Sequence, residues 1–185
     1  GIPVFIETSV DNDFKITPSQ LKNAITEKTK MMIYSSPCNP SGSVYSKDEL
    51  RSLADVLVNY PLITIVSDEI YEHINFTSKY FSMGAFSDMY NQVVTVNGVS
   101  KSFAMTGWRL GYLGAPIWLA KACTKIQGQF TSGTSGISQR AALAAISADP
   151  IVINDMKTAF LKRRDFVLTE VYKIKGIKIN KPQGA

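Results

Sequence analysis

The chain has 185 residues, of which 45% are apolar and 19% charged; that much apolar material predicts a globular domain with a core of its own. Its net charge of +5 is spread along the sequence, which speaks against a nucleic-acid footprint and suits a small anionic ligand such as a phosphate. Two distant cysteines, Cys38 and Cys123, in no metal-type spacing, exclude a disulfide framework and a zinc site and fit a reducing, cytoplasmic setting.

In chain order, Thr17-Pro18-Ser19-Gln20 opens a helix expected to run to about Thr26: Thr is the cap, Pro takes the first helical position and Gln completes a capping box. Met31 to Ser35 reads as a buried strand, followed by the turn-rich loop Pro37-Cys38-Asn39-Pro40-Ser41-Gly42. Ser46-Lys47-Asp48-Glu49 is a second capping box and opens a helix to about Asn59. Leu62 to Ser67 is a continuous β-branched strand expected to be covered on both faces, and Val93 to Asn97 is another of the kind. Leu110 to Gly114 predicts a further short strand. Helices follow over Ile117 to Phe130, Ser138 to Ala148 and Ile151 to Tyr172, and Ile177 to Asn180 reads as one more strand. Lys162, Arg163 and Arg164 read as a solvated helix face, and Met31, Met32 and Met105 as packing residues.

Strands that alternate with helices predict an α/β layer structure with a mostly parallel sheet. No stretch is apolar and long enough to span a bilayer, and no signal peptide opens the chain. Without an initiator Met, and with Lys181 to Ala185 reading as the opening of a strand, the chain reads as a fragment of something longer.

Ligands of open α/β sheets sit beyond the carboxyl ends of the strands. That rule selects the loops after Ser35, Ser67 and Asn97, which hold Asn39, Asp68 with Tyr71, and Lys101. A lysine at a strand end can be a Schiff-base lysine, a phosphate binder or a surface residue. Arg109 follows within Gly107-Trp108-Arg109-Leu110-Gly111; its planar fork suits a phosphate, and flanking glycines let backbone approach an anion. Asp68 is either a turn cap or a carboxylate for a cationic ring nitrogen. Tyr71 lies one helical turn on and either packs through its ring or reaches the same ligand. The lone His73 and Cys38 read as non-catalytic, and Trp108 as the anchor of the Arg109 loop.

The segment from Val96 to Tyr112, with Ser100-Lys101-Ser102-Phe103-Ala104-Met105-Thr106-Gly107-Trp108-Arg109 at its centre, closely resembles the cofactor-lysine segment of the class I aminotransferases, fold type I pyridoxal phosphate enzymes. Asn39-Pro40-Ser41-Gly42 resembles their Asn-Pro-Thr/Ser-Gly loop, and Asp68-Glu69-Ile70-Tyr71 their Asp-Glu-x-Tyr element. The similarity runs from Pro3 through Ala185 and is nearest to the bacterial aspartate aminotransferase branch. It implies a three-layer α/β/α large domain: residues 1–150 as its later part, 151–174 as a linking helix, and 175–185 as the start of a small domain. It implies pyridoxal 5'-phosphate as cofactor, no metal, and a homodimer acting on an amino acid and a 2-oxo acid, aspartate and 2-oxoglutarate. Lys101 then carries the cofactor as a Schiff base and shuttles the substrate proton. Asp68 pairs with the pyridine nitrogen, Tyr71 and Asn39 hydrogen-bond the phenolic oxygen, Asn39 also approaches the substrate carboxylate, and Arg109 binds the phosphate.

One position departs from the family pattern. Many relatives carry Ser three residues before the lysine, where this chain has Gly98, so phosphate binding would rest on Arg109 and backbone groups. The family's cofactor-stacking aromatic, its phosphate-binding Gly loop and its substrate arginine have no counterpart in these residues. The 185-residue chain by itself is therefore expected not to transaminate efficiently. A C–S β-lyase on the same scaffold, or the effector domain of an aminotransferase-like transcription regulator, would share the cofactor residues.

Overall fold

The structure, a computed structural model, describes residues 1–77 and 79–185. Four strands, β1 (Met31–Ser35), β2 (Thr64–Asp68), β3 (Val93–Gly98) and β4 (Gly111–Gly114), form one sheet in the order β1-β2-β3-β4. The first three run parallel and β4 antiparallel to β3, so the expected α/β class with a mostly parallel sheet is the observed one. Register places Met32, Ile65 and Val93 in one row and Ser35, Asp68 and Val96 in another. The second row is the carboxyl edge of the sheet.

Helices α1 (Pro18–Ala24) and α2 (Lys47–Leu57) accompany the sheet. Both begin on the boxes read from sequence. Thr17 Oγ1 accepts from the Gln20 amide while Gln20 Oε1 accepts from the Thr17 amide, and Ser46 and Glu49 repeat the exchange. In α2 the buried positions Leu50, Leu53, Ala54 and Leu57 follow helical spacing and close over Ile65, Val93 and Leu21. Each such leucine stabilises the fold by about 1.5–3 kcal/mol. Among the described residues between β2 and β3 there is no α-helix. Two single-turn 3-10 helices, Met83–Ala85 and Ser87–Met89, push fully buried Met83 and Met89 into the same core. Gln92 secures this crossover, its Nε2 donating to the carbonyls of Tyr60 (2.8 Å) and Ile63 (3.2 Å). Helices α3 (Ile117–Phe130), α4 (Gly136–Ile146) and α5 (Ile151–Val171) follow β4.

Several boundaries shift for identifiable reasons. α1 stops at Ala24 because Thr26 and Thr29 bond each other's backbone in a turn of their own. α2 ends at Leu57, where Asn59 Nδ2 returns to the carbonyls of Asp55 and Val56. β2 starts at Thr64 because its pairing begins opposite Met31; Leu62 stays outside it, 83% exposed. α4 starts two residues before Ser138, whose hydroxyl donates to the Trp108 carbonyl (2.8 Å) rather than capping.

Five expectations need correction. β2 is not covered on both faces: buried Ile65 and Ser67 alternate with half-buried Thr64, Val66 and Asp68, because α1 and α2 cover only the Met32–Ile65–Val93 face. Met31, on the other face, is exposed rather than packed, as is Ile33. Residues 177–180 form no strand. Their segment finds side-chain partners instead, with Asn180 Nδ2 donating to the Ser41 carbonyl (3.0 Å), and the residues that follow add an isolated bridge between Gly184 and Asn75. Arg164 is not solvated: it lies over the Phe76 ring and donates to the Pro182 carbonyl (3.1 Å), tying α5 to the last residues. Trp108 anchors its loop by backbone and not by a buried side chain: the residue is 43% exposed, and its carbonyl accepts from Ser138.

Candidate active site

Three chain segments meet at the carboxyl edge. The first is the loop after β1, whose geometry comes from internal bonds. The Cys38 amide donates to the Ser43 carbonyl (2.9 Å), the Gly42 amide to the Cys38 carbonyl (2.7 Å), and Ser36 Oγ accepts from the Tyr45 amide (3.1 Å). Gly42 has φ +69°, and a Cβ there would meet Pro182, so the turn and the close approach of the C-terminal segment both call for glycine. Asn39 stands exposed at the tip.

The second segment leaves β2 at Asp68, one of whose carboxylate oxygens accepts from the Ile70 amide (3.2 Å). This short turn carries Tyr71 back towards the loop: Asn39 Nδ2 donates to Tyr71 Oη at 2.9 Å. The third leaves β3 at Gly98. Buried Val99 anchors a turn closed by bonds from the Phe103 amide to the Val99 carbonyl and from the Met105 amide to the Ser100 carbonyl. Lys101 sits half-buried within it, Nζ 5.8 Å from the centre of the Tyr71 ring, inside the range of cation–π attraction.

Asn39, Tyr71 and Lys101 are therefore joined by direct contacts, and Asp68 occupies the same strand-end row. Arg109 is not drawn into that group. It lies in the left-handed region at φ 51°, is exposed, and its guanidinium donates back to the Thr106 carbonyl (3.1 Å). Gly98 answers the departure from the family pattern. A Cβ there would lie 3.0 Å from the Leu110 carbonyl oxygen and 3.1 Å from Gly111 Cα, so a serine would have to push the chain entering β4 outward by a few tenths of an ångström.

Two polar clusters behind the site were not read from sequence. On the opposite face of β2 from Asp68, Glu69 Oε1 accepts from Ser67 (2.8 Å) and Ser82 (2.6 Å), and Ser67 Oγ also lies 2.8 Å from Tyr34 Oη. Burial pushes the Glu69 carboxyl above the ordinary carboxylate range, against the pull of its Ser82, Tyr80 and Ser67 hydrogen bonds. The same burial raises the phenols of Tyr34 and Tyr80. In the second cluster, Asn97 Nδ2 donates to Glu72 Oε1 at 2.7 Å, and His73 Nε2 stands 3.3 Å from that oxygen. Period-2 alternation beside Asp68 was the available signal for the first cluster; nothing local announced the second. His73 otherwise packs edge-on to Phe103. Among the described residues no group of His, Cys, Asp and Glu is arranged for a metal, and both cysteines are free.

Comparison with known proteins accounts for this arrangement. The family model "Aminotransferase class I and II" matches residues 1–185. The chain is 44% identical to the aspartate/prephenate aminotransferase of Nitrosomonas europaea over all of its own length and 47% of that protein's. It is 43% identical to the bifunctional aspartate aminotransferase and glutamate/aspartate-prephenate aminotransferase of Petunia hybrida, over 99% of this chain and 39% of the relative. The crystal structure of the Rhizobium meliloti aspartate aminotransferase superposes on 99% of the chain, and 46% of its own, with a TM-score of 0.96 at 38% identity. The chain belongs to the class I and II aminotransferases. It spans less than half the length of these relatives.

The cofactor that goes with this membership is pyridoxal 5'-phosphate, and the donor set fits it. An amine, a carboxylate, a phenol–amide pair and, further along, a guanidinium line one sheet edge, matching an aldehyde, a ring nitrogen, a phenolic oxygen and a phosphate.

Proposed function

We propose that this chain is the part of a pyridoxal-phosphate-dependent aminotransferase that holds the cofactor, and that the enzyme moves an amino group between aspartate and 2-oxoglutarate. The observation that carries the reading is the convergence of Lys101, Tyr71, Asn39 and Asp68 at the ends of three parallel strands. The double name of the Nitrosomonas europaea relative supports prephenate as a second oxo-acid acceptor.

Lys101 Nζ would hold the cofactor covalently and, once displaced by the substrate amine, carry the proton from the substrate Cα to the cofactor's C4′. The cofactor supplies the sink for the electron pair that this proton leaves behind. Asp68, with one oxygen held by the Ile70 amide, would keep the pyridine nitrogen protonated. Tyr71 Oη and Asn39, already bonded to each other, would donate to the phenolic oxygen, and Asn39 would also meet the substrate carboxylate. Arg109 would turn from the Thr106 carbonyl to the phosphate. Residues 1–150 would form the later part of the cofactor-binding domain, 151–174 the linking helix and 175–185 the start of a small domain. No described helix is long and apolar enough to cross a membrane; a cytoplasmic homodimer fits the family.

The test uses the full-length protein with added pyridoxal phosphate. Borohydride reduction should fix the cofactor to Lys101, read by peptide mass spectrometry, and a label on another lysine would end the proposal. In a separate, unreduced sample, amino acids added singly should convert the bound cofactor to its amine form, aspartate and glutamate fastest.

A further inference from the structure

The loop that carries Tyr71 and the turn that carries Lys101 are bridged by side chains outside the five candidate residues. Glu72, next to Tyr71, accepts from Asn97 Nδ2 at 2.7 Å, and Asn97 precedes the Gly98 that opens the Lys101 turn. Asn97 is only 6% exposed, and both ends of its amide are engaged, because Oδ1 accepts from the Gly98 amide at 2.7 Å. Its orientation is therefore set by Glu72 on one side and by the backbone of the turn on the other. Without Glu72, Nδ2 would be a buried donor lacking a partner, and rotating to find one would release Gly98. Gly98 is itself held in the ladder, paired with Gly111 of β4. A second contact joins the same two segments: His73 lies edge-on to Phe103, ring centres 6.2 Å apart.

We propose that Glu72 and Asn97 form a clamp of positioning residues that holds the Tyr71 ring against Lys101 Nζ. The proposal deepens the function above and rests on Lys101 being the cofactor lysine. Neither residue touches the reacting atoms; the clamp acts through the two backbones it joins. Its polarity can be reversed. Asn97→Asp sets a second carboxylate against Glu72 while keeping an oxygen for the Gly98 amide, and Glu72→Gln then supplies the N–H that the new aspartate lacks.

The experiment compares E72Q, N97D and E72Q/N97D in the full-length protein. Hydrogen exchange is followed over residues 70–76 and 98–104 without cofactor, and induced circular dichroism per bound cofactor with it. N97D should speed exchange in both segments about tenfold, the worth of one hydrogen bond to a charged group, and diminish the induced signal. E72Q keeps the accepting oxygen but not its charge and should disturb exchange less than N97D, and E72Q/N97D should recover most of both readouts. The clamp is overturned if the double variant is no better than N97D, or if N97D disturbs only 98–104. It is equally overturned if N97D lowers the melting temperature but leaves the cofactor signal unchanged. Should wild-type protein carry no cofactor on Lys101, the function reading fails on that ground, while exchange in the cofactor-free variants still decides whether the two segments are clamped.

Discussion

Replacing Gly98 with Ala would place a methyl carbon 3.0 Å from the Leu110 carbonyl oxygen, 3.1 Å from Gly111 Cα and 3.3 Å from Ile70 Cδ1. Two of the three neighbours are backbone of the chain entering β4, and Gly98 pairs with Gly111, so relief requires opening the β3–β4 ladder at its end. Overpacking of this kind costs about 1–3 kcal/mol, equivalent to roughly a 5- to 150-fold change in a local opening equilibrium. Hydrogen exchange of the full-length protein should show that acceleration over residues 93–98 and 111–114. The displacement passes to Lys101 within the same turn, so the cofactor should also dissociate faster. Gly114→Ala, at the far end of β4, meets nothing within 4 Å and should leave both quantities alone. Gly128→Ala, in open space on α3, should stabilise its helix by roughly 0.5–1 kcal/mol. If Gly98→Ala exchanges like wild type, the close approach of β4 does not explain this glycine.

Tyr71→Phe keeps the ring over Lys101 but removes the oxygen that accepts from Asn39. Cofactor affinity, followed by equilibrium titration, should fall by up to about tenfold, the worth of one neutral hydrogen bond of about 1 kcal/mol plus its contact to the cofactor. Glu69 gives a pH dependence of definite sign. Its carboxyl is raised in the fold, first by burial, so the native state binds more protons than the unfolded chain and this group's contribution declines as pH rises through its folded pKa. Glu69→Gln should flatten that decline in denaturant titrations, and an unchanged slope would refute the assignment. Arg164→Ala removes both the stacking on Phe76 and the bond to Pro182. Proteolysis and hydrogen exchange over residues 178–185 should quicken, with a cost of about 1–3 kcal/mol, and Arg164→Lys should recover little of it because an ammonium neither stacks nor forks.

Local chemistry carried a large share of the fold in the sequence. The boxes at Thr17 and Ser46 find their partners within three residues, and the apolar run from Met31 to Ser35 and the β-branched run from Val93 carry their pattern within themselves; each of these elements starts where it was expected. The strand-end rule likewise placed Asn39, Asp68 and Lys101 on one edge of the sheet. Beyond helix ends set by local turns, the features that failed have partners distant in sequence. Ser138 reads as a helix start until Trp108 offers it a carbonyl, residues 177–180 read as a strand until Ser41 takes up Asn180, and Arg164 reads as solvated until Phe76 lies beneath it. For the site the division is the same. Which residue types gather at the strand ends follows from the sequence, because the carboxyl ends of the strands are marked by a local change from apolar runs to turn residues. The 2.9 Å bond between Asn39 and Tyr71, the crowding at Gly98 and the bridge from Glu72 to Asn97 exist only once separate segments pack, since a hydrogen bond or a steric limit between distant residues has no signature in either one alone.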